Sequence, residues 1–317
     1  MSPSGFAGID LPEVIAVVGP TASGKSAVAD ELAWRLDSAV VSADAMQVYR
    51  GMDIGTAKTP PEQRRVPLLC VDLVDPGEAY SVARFTQAAH EAIDGQRAQD
   101  RIPVVCGGTG LYVRAALEDM DFPAGEQVQN PVRDCYERLA AELGNQAFHR
   151  LLEDRDPESA ALIHPNNVRR VVRAFELLEQ GTTYAREHAT LHLRVNRCPT
   201  LVVGLELPRE LLYERINSRV DEMIRLGLQD EVQSLVDNGL GNTLTARQAI
   251  GYKELLACLD GRCSLDDAMA SIKQATRRYA KRQMTWFKAD PRVHWLNAQD
   301  KTPEALADEV EALMKNG

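Results

Sequence analysis

The chain has 317 residues, of which 44% are apolar and 26% charged, and its net charge is −10. This composition predicts one large α/β domain with an addition, while the acidic balance taken alone argues against a nucleic-acid partner. No stretch approaches about 18 uncharged apolar residues and no signal-peptide pattern begins the chain, so we expect a cytosolic protein without a membrane span. Its six cysteines lack paired spacing, which argues against a zinc site and against a disulfide framework.

A phosphate-binding loop is the first motif along the chain. The sequence GPTASGKS completes the G-x-x-x-x-G-K-[ST] pattern directly after the apolar run 14–18. Backbone N–H groups of such a loop bind phosphate oxygens, Lys25 adds a positive charge, and the Ser26 hydroxyl can bind Mg²⁺. The predicted diphosphate-binding residues are Gly19, Pro20, Thr21, Ala22, Ser23, Gly24, Lys25 and Ser26. The alternative is a Gly/Ser-rich turn, and the pattern leaves open which phosphate compound binds.

The loop is followed by the pattern of a helix. Ala27, Ala29, Leu32, Ala33 and Leu36 recur with a period of 3.6 residues. The positive N-terminus of such a helix points at the bound anion.

Short apolar runs alternate with helical patterns, which predicts an α/β fold with a mostly parallel sheet. The expected strands are 14–18, 39–42, 68–73, 102–106, 201–205 and 293–296. Three of them are followed directly by polar or glycine-rich loops: the phosphate-binding loop, residues 42–47 and residues 107–110. Because the carboxyl ends of parallel strands share one edge of a sheet, we expect these loops to meet there.

The second loop carries a carboxylate, Asp44, beside the expected phosphate site. Asp44 is interpreted as a general base or a metal-side carboxylate, and the alternative is a helix N-cap. Asp72 is a competitor, as a second-sphere Mg²⁺ carboxylate of a nucleotidase. The third loop, Gly107-Gly108-Thr109-Gly110, allows close approach of its backbone to a ligand.

Two basic clusters interrupt the acidic composition. Between Ala268 and Ala289 there are six cations and no acidic residue, with Tyr279, Trp286 and Phe287 among them. A second cluster, formed by Arg169, Arg170 and Arg173, lies on a predicted helix. Such runs are often solvated helix faces, but two single-sign patches on an acidic chain favour phosphate binding. We expect Trp286 to pack in the core.

Strands four and five are separated by about a hundred residues, which is too long for a simple crossover. Residues 121–125 and 197–199 punctuate this stretch, and helical patterns lie between them. The sequence therefore predicts an inserted helical module over residues 121–199, with a core formed by residues 1–120 and 200–317.

Six blocks in order closely resemble the bacterial tRNA dimethylallyltransferases of the IPP transferase family. They are GPTASGKS, SADAMQVYRGMDIGTAKT, CGGTGLY, IHPNNVRRVVRAFE, QAIGYKE and KRQMTWFK. The resemblance implies a kinase-like phosphate-loop (P-loop) core and a helical insertion that contacts the anticodon stem-loop of tRNA. The implied reaction moves a dimethylallyl group from dimethylallyl diphosphate to N6 of the adenine just 3′ of the anticodon, with release of pyrophosphate. Ser26 stands where the family more often has threonine, which keeps the hydroxyl.

The resemblance also implies roles for single residues. Asp44 would accept a proton from, or a hydrogen bond with, the attacking N6, and Thr21 could contact the diphosphate or the amine. Lys25, Arg219 and Ser26-bound Mg²⁺ would stabilise the leaving pyrophosphate. Without the resemblance, Arg219 reads as a helix-surface arginine paired with Asp221 or Glu222.

The target adenine must leave its stack before it can react, so a channel with stacking and edge contacts is expected. The implied tRNA-binding residues are Asp44, Ala45, Met46, Gln47, Thr109, Arg133, Arg169, Arg170, Val171, Val172, Arg173, Gln248, Ala249, Ile250, Gly251, Tyr252, Lys253, Lys281, Arg282, Gln283, Met284, Thr285, Trp286, Phe287 and Lys288. The expected partners are tRNA and dimethylallyl diphosphate, the expected cofactor is Mg²⁺, and the expected state is a monomer.

Three alternatives stay open at this point. A small-molecule P-loop kinase would use Asp44 to activate an acceptor hydroxyl. A prenyltransferase for free adenine nucleotides would leave the insertion and its arginines without a purpose. A non-enzymatic RNA-binding module would not need an ordered phosphate loop beside a carboxylate.

Overall fold

The computed structural model describes residues 11–120, 130–190, 195–238 and 246–316. The chain divides into two compact units, one formed by Met1–Asp119 with Asn196–Gly317 and the other by Met120–Val195. The predicted start of the insertion, residues 121–125, lies outside the described residues.

The first unit contains a six-stranded parallel sheet, which confirms the α/β fold class. The strands are β1 Val14–Val18, β2 Val40–Ser42, β3 Leu68–Leu69, β4 Val104–Gly107, β5 Thr200–Glu206 and β6 Val293–Asn297. Their order across the sheet is β3-β2-β4-β1-β5-β6, and every pairing is parallel. All five residues of β1 are buried, as expected for a central strand covered on both faces.

One strand is much shorter than its apolar run predicts. The run 68–73 forms only the two-residue β3. Cys70 and Asp72 have φ values of 60° and 55°, in the left-handed region that L-residues rarely adopt. This backbone conformation ends the pairing of β3 with β2, so the apolar run predicts a longer strand than the structure contains.

The helices of the first unit separate and follow these strands in the sequence. They are α1 Lys25–Arg35, α2 Val82–Arg97, α3 Gly110–Leu117, α9 Arg209–Arg225, α10 Leu228–Asp237, α11 Tyr252–Leu259, α12 Leu265–Lys288 and α13 Pro303–Asn316, with short 3₁₀ turns at Pro61–Gln63 and Ala246–Gln248. Helix α1 packs into the main core through Val28, Ala29 and Leu32. Ala27 is exposed and Val28 is buried instead, so the predicted stripe is wrong at that position.

The second unit is helical. It contains α4 Pro131–Leu143, α5 Asn145–Arg155, α6 Pro157–Leu162, α7 Val168–Glu179 and α8 Tyr184–Thr190. Its core is built around the rings of Phe148 and Phe175, whose centroids lie 5.1 Å apart. The side chains of Val171 and Val172 are buried in the same cluster.

Candidate active site

The phosphate-binding loop joins the end of β1 to the start of α1. Gly19 and Gly24 have φ values of 147° and 92°, which favour glycine. A Cβ at Gly19 would lie 2.8 Å from the carbonyl oxygen of Leu205. Within the described part of the chain, the amides of Ala22, Gly24, Lys25 and Ser26 donate no hydrogen bond. Unpaired amides at a helix N-terminus form a site for an anion.

Lys25 lies over this loop and donates from Nζ to the carbonyl oxygen of Pro20 at 3.2 Å. Burial lowers the pKa of Lys25, with Arg219 acting in the same direction, while the neighbouring Cys106 and Asp44 oppose the shift. The ammonium group is therefore placed where removal from water and a neighbouring cation both disfavour its charge, and a bound anion would relieve that penalty.

Asp44 follows β2 at the carboxyl edge of the sheet and is partly exposed. Its Oδ1 accepts a hydrogen bond from the amide of Met46 at 2.8 Å. The residues that follow Asp44 form turns and not a helix. The carboxylate therefore caps a turn rather than a helix, which corrects the helix N-cap alternative, and its second oxygen is left for a ligand.

Arg219 lies on α9, and its positive charge acts on the Lys25 ammonium. Burial lowers the pKa of Arg219, and the negative charge of Asp44 opposes this effect. The alternative pairing is wrong, because Asp221 pairs with Lys273 at 2.5 Å and Glu222 pairs with Arg225. The structure thus brings Lys25, Asp44 and Arg219 into one charge cluster, beside the loop that contains Thr21.

The third loop begins where β4 ends at Gly107. A Cβ there would lie 2.7 Å from that of Ala43, so glycine is required by the approach of the second loop. The hydroxyls of Thr109 and Tyr279 are 3.3 Å apart. Strand β4 neighbours β1 and ends in Cys106-Gly107, and burial raises the pKa of the Cys106 thiol to about 11. The position next to the phosphate loop thus carries a neutral thiol instead of a carboxylate.

Helix α12 presents one face to this loop. Tyr279, Arg282, Gln283 and Trp286 follow the i, i+3, i+4, i+7 spacing of a single helix face. The Arg282 guanidinium lies 5.6 Å from the centroid of the Tyr279 ring. Trp286 is 41% exposed and its ring covers Gly110, so the expectation of a core position is wrong. A side chain at residue 110 would displace the indole, and the absence of one lets the ring lie flat at the surface.

The other members of the 281–288 segment differ in exposure. Lys281, Thr285 and Lys288 are exposed, Met284 is partly buried, and Phe287 is buried. The ammonium of Lys288 lies 3.4 Å from a carboxylate oxygen of Glu206. Phe287 packs inside the unit, so its side chain is not exposed to RNA, and the expectation that it contacts RNA is corrected.

The 248–253 segment is largely structural. Gln248 and Lys253 are exposed and Ile250 is partly buried, whereas Ala249, Gly251 and Tyr252 are buried. The Tyr252 hydroxyl donates to Glu231 at 2.6 Å. The expected RNA contacts of the three buried residues are therefore corrected, because these residues lie in the interior.

The 44–47 segment is held by its own side chains. Ala45, Met46 and Gln47 are partly buried. Gln47 accepts from the Ser42 hydroxyl at 2.7 Å and donates to the carbonyl oxygen of Thr56 at 3.2 Å. Both ends of the Gln47 amide are occupied, so this residue positions the Asp44 loop.

Asp72 forms an ion pair with Lys58. Its carboxylate lies 2.6 Å from the buried ammonium of Lys58, which also pairs with Asp53 at 2.5 Å and donates to the carbonyl oxygen of Tyr49. This pairing accounts for Asp72 without a metal ion.

The cationic residues of the second unit fall into two groups. Arg133 donates to both oxygens of Glu176, at 2.8 and 3.2 Å, and Arg173 donates to the same carboxylate at 3.1 Å. Arg169 and Arg170 are exposed. Because Val171 and Val172 are buried, their side chains are not available to RNA, which corrects that expectation.

Preformed metal centres and membrane spans are both missing from the described residues. In the described ranges, no group of three or more His, Cys, Asp or Glu side chains is arranged to hold a metal ion. Helices long and apolar enough to cross a bilayer are likewise missing from the part of the chain that the structure describes.

Some of the structural interactions near the site could not be found from the sequence. Glu231 accepts from three consecutive amides of residues 53–55, yet in the sequence it is one acidic residue on a polar helix face. Gln283 is named among the expected RNA-binding residues, but it is buried and joins two loops of its own chain. No sequence signal distinguishes either residue from its neighbours.

A parallel sheet with a phosphate loop after its central strand, and a charge cluster at the carboxyl edge, define a P-loop enzyme. Two family models match the chain: "IPP transferase" over residues 47–290 and "Isopentenyl transferase" over residues 12–66. The chain belongs to the IPP transferase family, which confirms the resemblance seen in the sequence.

Relatives and solved structures agree with this assignment. The chain is 45% identical to a tRNA dimethylallyltransferase of Geobacillus thermodenitrificans over 96% of its length and 95% of the relative. It is 44% identical to tRNA dimethylallyltransferase 1 of Pelobacter propionicus, covering 92% and 94%.

Among solved structures, a tRNA isopentenylpyrophosphate transferase from Staphylococcus epidermidis superposes with a TM-score of 0.70 at 38% identity, covering 96% of this chain and 98% of that one. A eukaryotic dimethylallyltransferase acting on tRNA gives 0.79 at 28% identity, covering 95% and 77%.

Proposed function

We propose that this protein transfers a dimethylallyl group from dimethylallyl diphosphate to N6 of the adenine 3′-adjacent to the anticodon of tRNA, with release of pyrophosphate. The observation that carries the proposal is the cluster of Lys25, Asp44 and Arg219 beside a loop with unpaired amides. The relatives named tRNA dimethylallyltransferase, at 45% and 44% identity over most of the chain, support it.

The nucleophile and the leaving group of this reaction need different kinds of catalysis. The lone pair of an exocyclic adenine amine is delocalised into the ring, so the amine is a poor nucleophile. Asp44 holds one carboxylate oxygen on the Met46 amide and would use the other to accept the N6 proton. A positioned general base contributes roughly 10²–10⁴-fold to a rate.

Negative charge grows on the diphosphate as its bond to the allylic carbon breaks. The unpaired loop amides, Lys25 and Arg219 would stabilise that charge in a partly dehydrated site. The Thr21 hydroxyl lies in the same loop, where it would contact the diphosphate or the incoming amine. These groups stabilise a leaving diphosphate, and the reaction requires no transfer of a phosphoryl group.

A divalent metal ion fits this site in a limited way. Ser26 is exposed in the first turn of α1 and offers a hydroxyl oxygen to the ion. Mg²⁺ usually takes one or two protein oxygens and completes its shell with phosphate and water, which suits this sparse donor set. When bound, Mg²⁺ would supply additional positive charge at the leaving group.

The site is less suited to the kinase alternative. In P-loop NTPases a Walker-B aspartate helps to hold the metal ion beside the nucleotide. Here β4, the neighbour of β1, ends in Cys106 and Gly107, and a neutral thiol does not replace that carboxylate. This observation favours prenyl transfer over phosphoryl transfer.

Each unit has its own residues that we propose contact RNA, which are exposed cations and, in the first unit, an exposed ring. In the first unit they include Lys281, Arg282, Lys288, Lys253 and Trp286, and in the second unit they include Arg169 and Arg170. Backbone charge and base stacking are the two usual means of recognising a single-stranded loop. We also propose that the protein is cytoplasmic and monomeric. Analytical ultracentrifugation would test the monomeric state.

One assay tests the function. Purified protein is incubated with labelled dimethylallyl diphosphate and an unmodified anticodon stem-loop, and a second stem-loop has the target adenine replaced by guanine. Label in the first RNA and not in the second is expected, and the product nucleoside should carry it on N6. Transfer from labelled ATP instead would establish the kinase, and label on free AMP but not on RNA would establish the free-nucleotide enzyme.

A further inference from the structure

Gln283 connects two loops of the site that are far apart in sequence. Its Oε1 accepts a hydrogen bond from the amide of Thr21 at 2.9 Å, and its Nε2 donates to the carbonyl oxygen of Gly108 at 2.9 Å. The residue is only 5% exposed. Both ends of the side-chain amide are therefore satisfied inside the protein, where an unpaired end would be costly.

Gln283 packs closely against the Gly108 loop. A Cβ on Gly108 would collide with Nε2 of Gln283 unless that side chain moved. The Thr21 amide, which could otherwise donate to a phosphate as P-loop amides do, is withdrawn from the anion site because it donates to Oε1. Gln283 thus removes one amide, that of Thr21, from the set that could bind an anion.

The second loop leads directly to the acceptor side of the site. Thr109 follows Gly108, and its hydroxyl is 3.3 Å from the Tyr279 hydroxyl and 3.5 Å from the amide of Ala45, the residue after Asp44. The hydrogen bonds of Gln283 therefore link the diphosphate loop to the loop beside the proposed base.

We propose that Gln283 is a positioning residue that fixes the spacing between the diphosphate loop and the Gly108-Thr109 loop, and that it does not bind RNA. The inference rests on the proposed function. A transfer between two bound substrates depends on the distance between their reacting atoms, and a misplacement of about 1 Å can cost roughly 10²-fold in rate.

The chemistry of the side chain makes this role testable. A side-chain amide offers a donor and an acceptor in one group. Gln283→Leu removes both hydrogen bonds and keeps an apolar side chain of related size. Gln283→Glu keeps the acceptor for Thr21 and loses the donor to Gly108. Gln274→Leu, at an exposed position of the same helix, is the matched control.

The experiment measures kcat, KM for dimethylallyl diphosphate, the dissociation constant for the stem-loop and the thermal midpoint. We expect Gln283→Leu to lower kcat by roughly 10²-fold at saturation, in line with the cost of misplacement, while its affinity for the stem-loop stays within about threefold. Gln283→Glu should lower kcat less and raise KM for the diphosphate, because it places a carboxylate beside the anion site. Gln274→Leu should match the wild type.

Three results would overturn the inference. They are an unchanged kcat in both Gln283 variants, a loss of stem-loop affinity with kcat intact, or a fall in activity that only follows the folded fraction. If Gln283→Leu does not fold, the Gln283→Glu variant decides alone. A wild-type protein that transfers no dimethylallyl group would refute the proposed function itself, which is a separate outcome.

Discussion

The Tyr252 hydroxyl donates a hydrogen bond to Oε1 of Glu231 at 2.6 Å. The same carboxylate accepts from the amides of Asp53, Ile54 and Gly55 at 3.1, 2.7 and 3.2 Å. Hydrogen bonds to an ionised acceptor are roughly twice as strong as neutral ones. Side chains on α10 and α11 therefore hold the segment that follows the Asp44 loop.

The close approach of this segment makes Gly55→Ala destabilising. A Cβ there would lie 2.5 Å from the ring of Tyr252, which is itself buried. We expect a loss of about 1–3 kcal/mol in the free energy of unfolding, as for other overpacked sites. Gly77→Ala is the control, since nothing lies within 4 Å of an added Cβ there. Equal urea midpoints for the two variants would contradict the prediction.

Asp44→Asn should abolish transfer while keeping RNA affinity. Asparagine retains the oxygen that accepts from the Met46 amide, so the turn is preserved. It cannot take the N6 proton, and we expect kcat to fall by roughly 10²–10⁴-fold. Stem-loop affinity, measured by fluorescence anisotropy, should stay within a few-fold of the wild type. Turnover near the wild-type rate would rule out Asp44 as the base.

The sequence was sufficient for the sheet and for the phosphate loop, because both depend on local patterns. Strand β1 is a continuous apolar run, and the loop motif follows it without a gap. The apolar run at 68–73 predicts a strand that is too long, because a left-handed backbone at Cys70 and Asp72 ends the strand early. Such a conformation is set by tertiary interactions, among them the ion pair between Asp72 and Lys58.

Burial within the basic segments was the harder part to predict. Trp286 reads as a core residue by type, yet the missing side chain at Gly110 lets its ring lie at the surface. The role of Gln283 depends on hydrogen bonds with residues 262 and 175 positions away in sequence. Periodicity identifies a helix face, but it does not say what that face meets.

The stability of the protein should depend on pH through Glu31. Burial alone would raise the pKa of this carboxyl, but hydrogen bonds from Arg35 and Arg65 outweigh it and lower the pKa below the ordinary value of 4.5. The ionised form is therefore favoured by folding, and its contribution is present above about pH 4.5 and lost as the pH falls through the folded pKa.

The variant Glu31→Gln isolates this contribution. At pH 7 we expect it to lower the free energy of unfolding by about 2 kcal/mol, because charge-assisted hydrogen bonds from two arginines are weakened. The difference from the wild type should shrink as the pH falls below about 4.5 in a urea denaturation series. A difference that stays constant down to about pH 3 would show that charge is not its source.

The arginines of the second unit should separate into structural and RNA-binding groups. Glu176 is 2% exposed, and Arg133 meets it through two hydrogen bonds. Arg133→Ala removes two hydrogen bonds from this buried carboxylate but leaves the one from Arg173, and we expect a loss of roughly 1–3 kcal/mol in stability. Arg169 and Arg170 are exposed, so replacing both with alanine should leave the thermal midpoint nearly unchanged.

The salt dependence of stem-loop binding distinguishes the two groups. Each phosphate that the protein no longer neutralises reduces the slope of log affinity against log salt by about one. The double variant Arg169→Ala with Arg170→Ala should therefore bind more weakly and show a shallower slope. Arg133→Ala, measured well below its thermal midpoint, should keep the wild-type slope, because its guanidinium is already occupied by Glu176. A shallower slope for Arg133→Ala and an unchanged slope for the double variant would reverse this assignment.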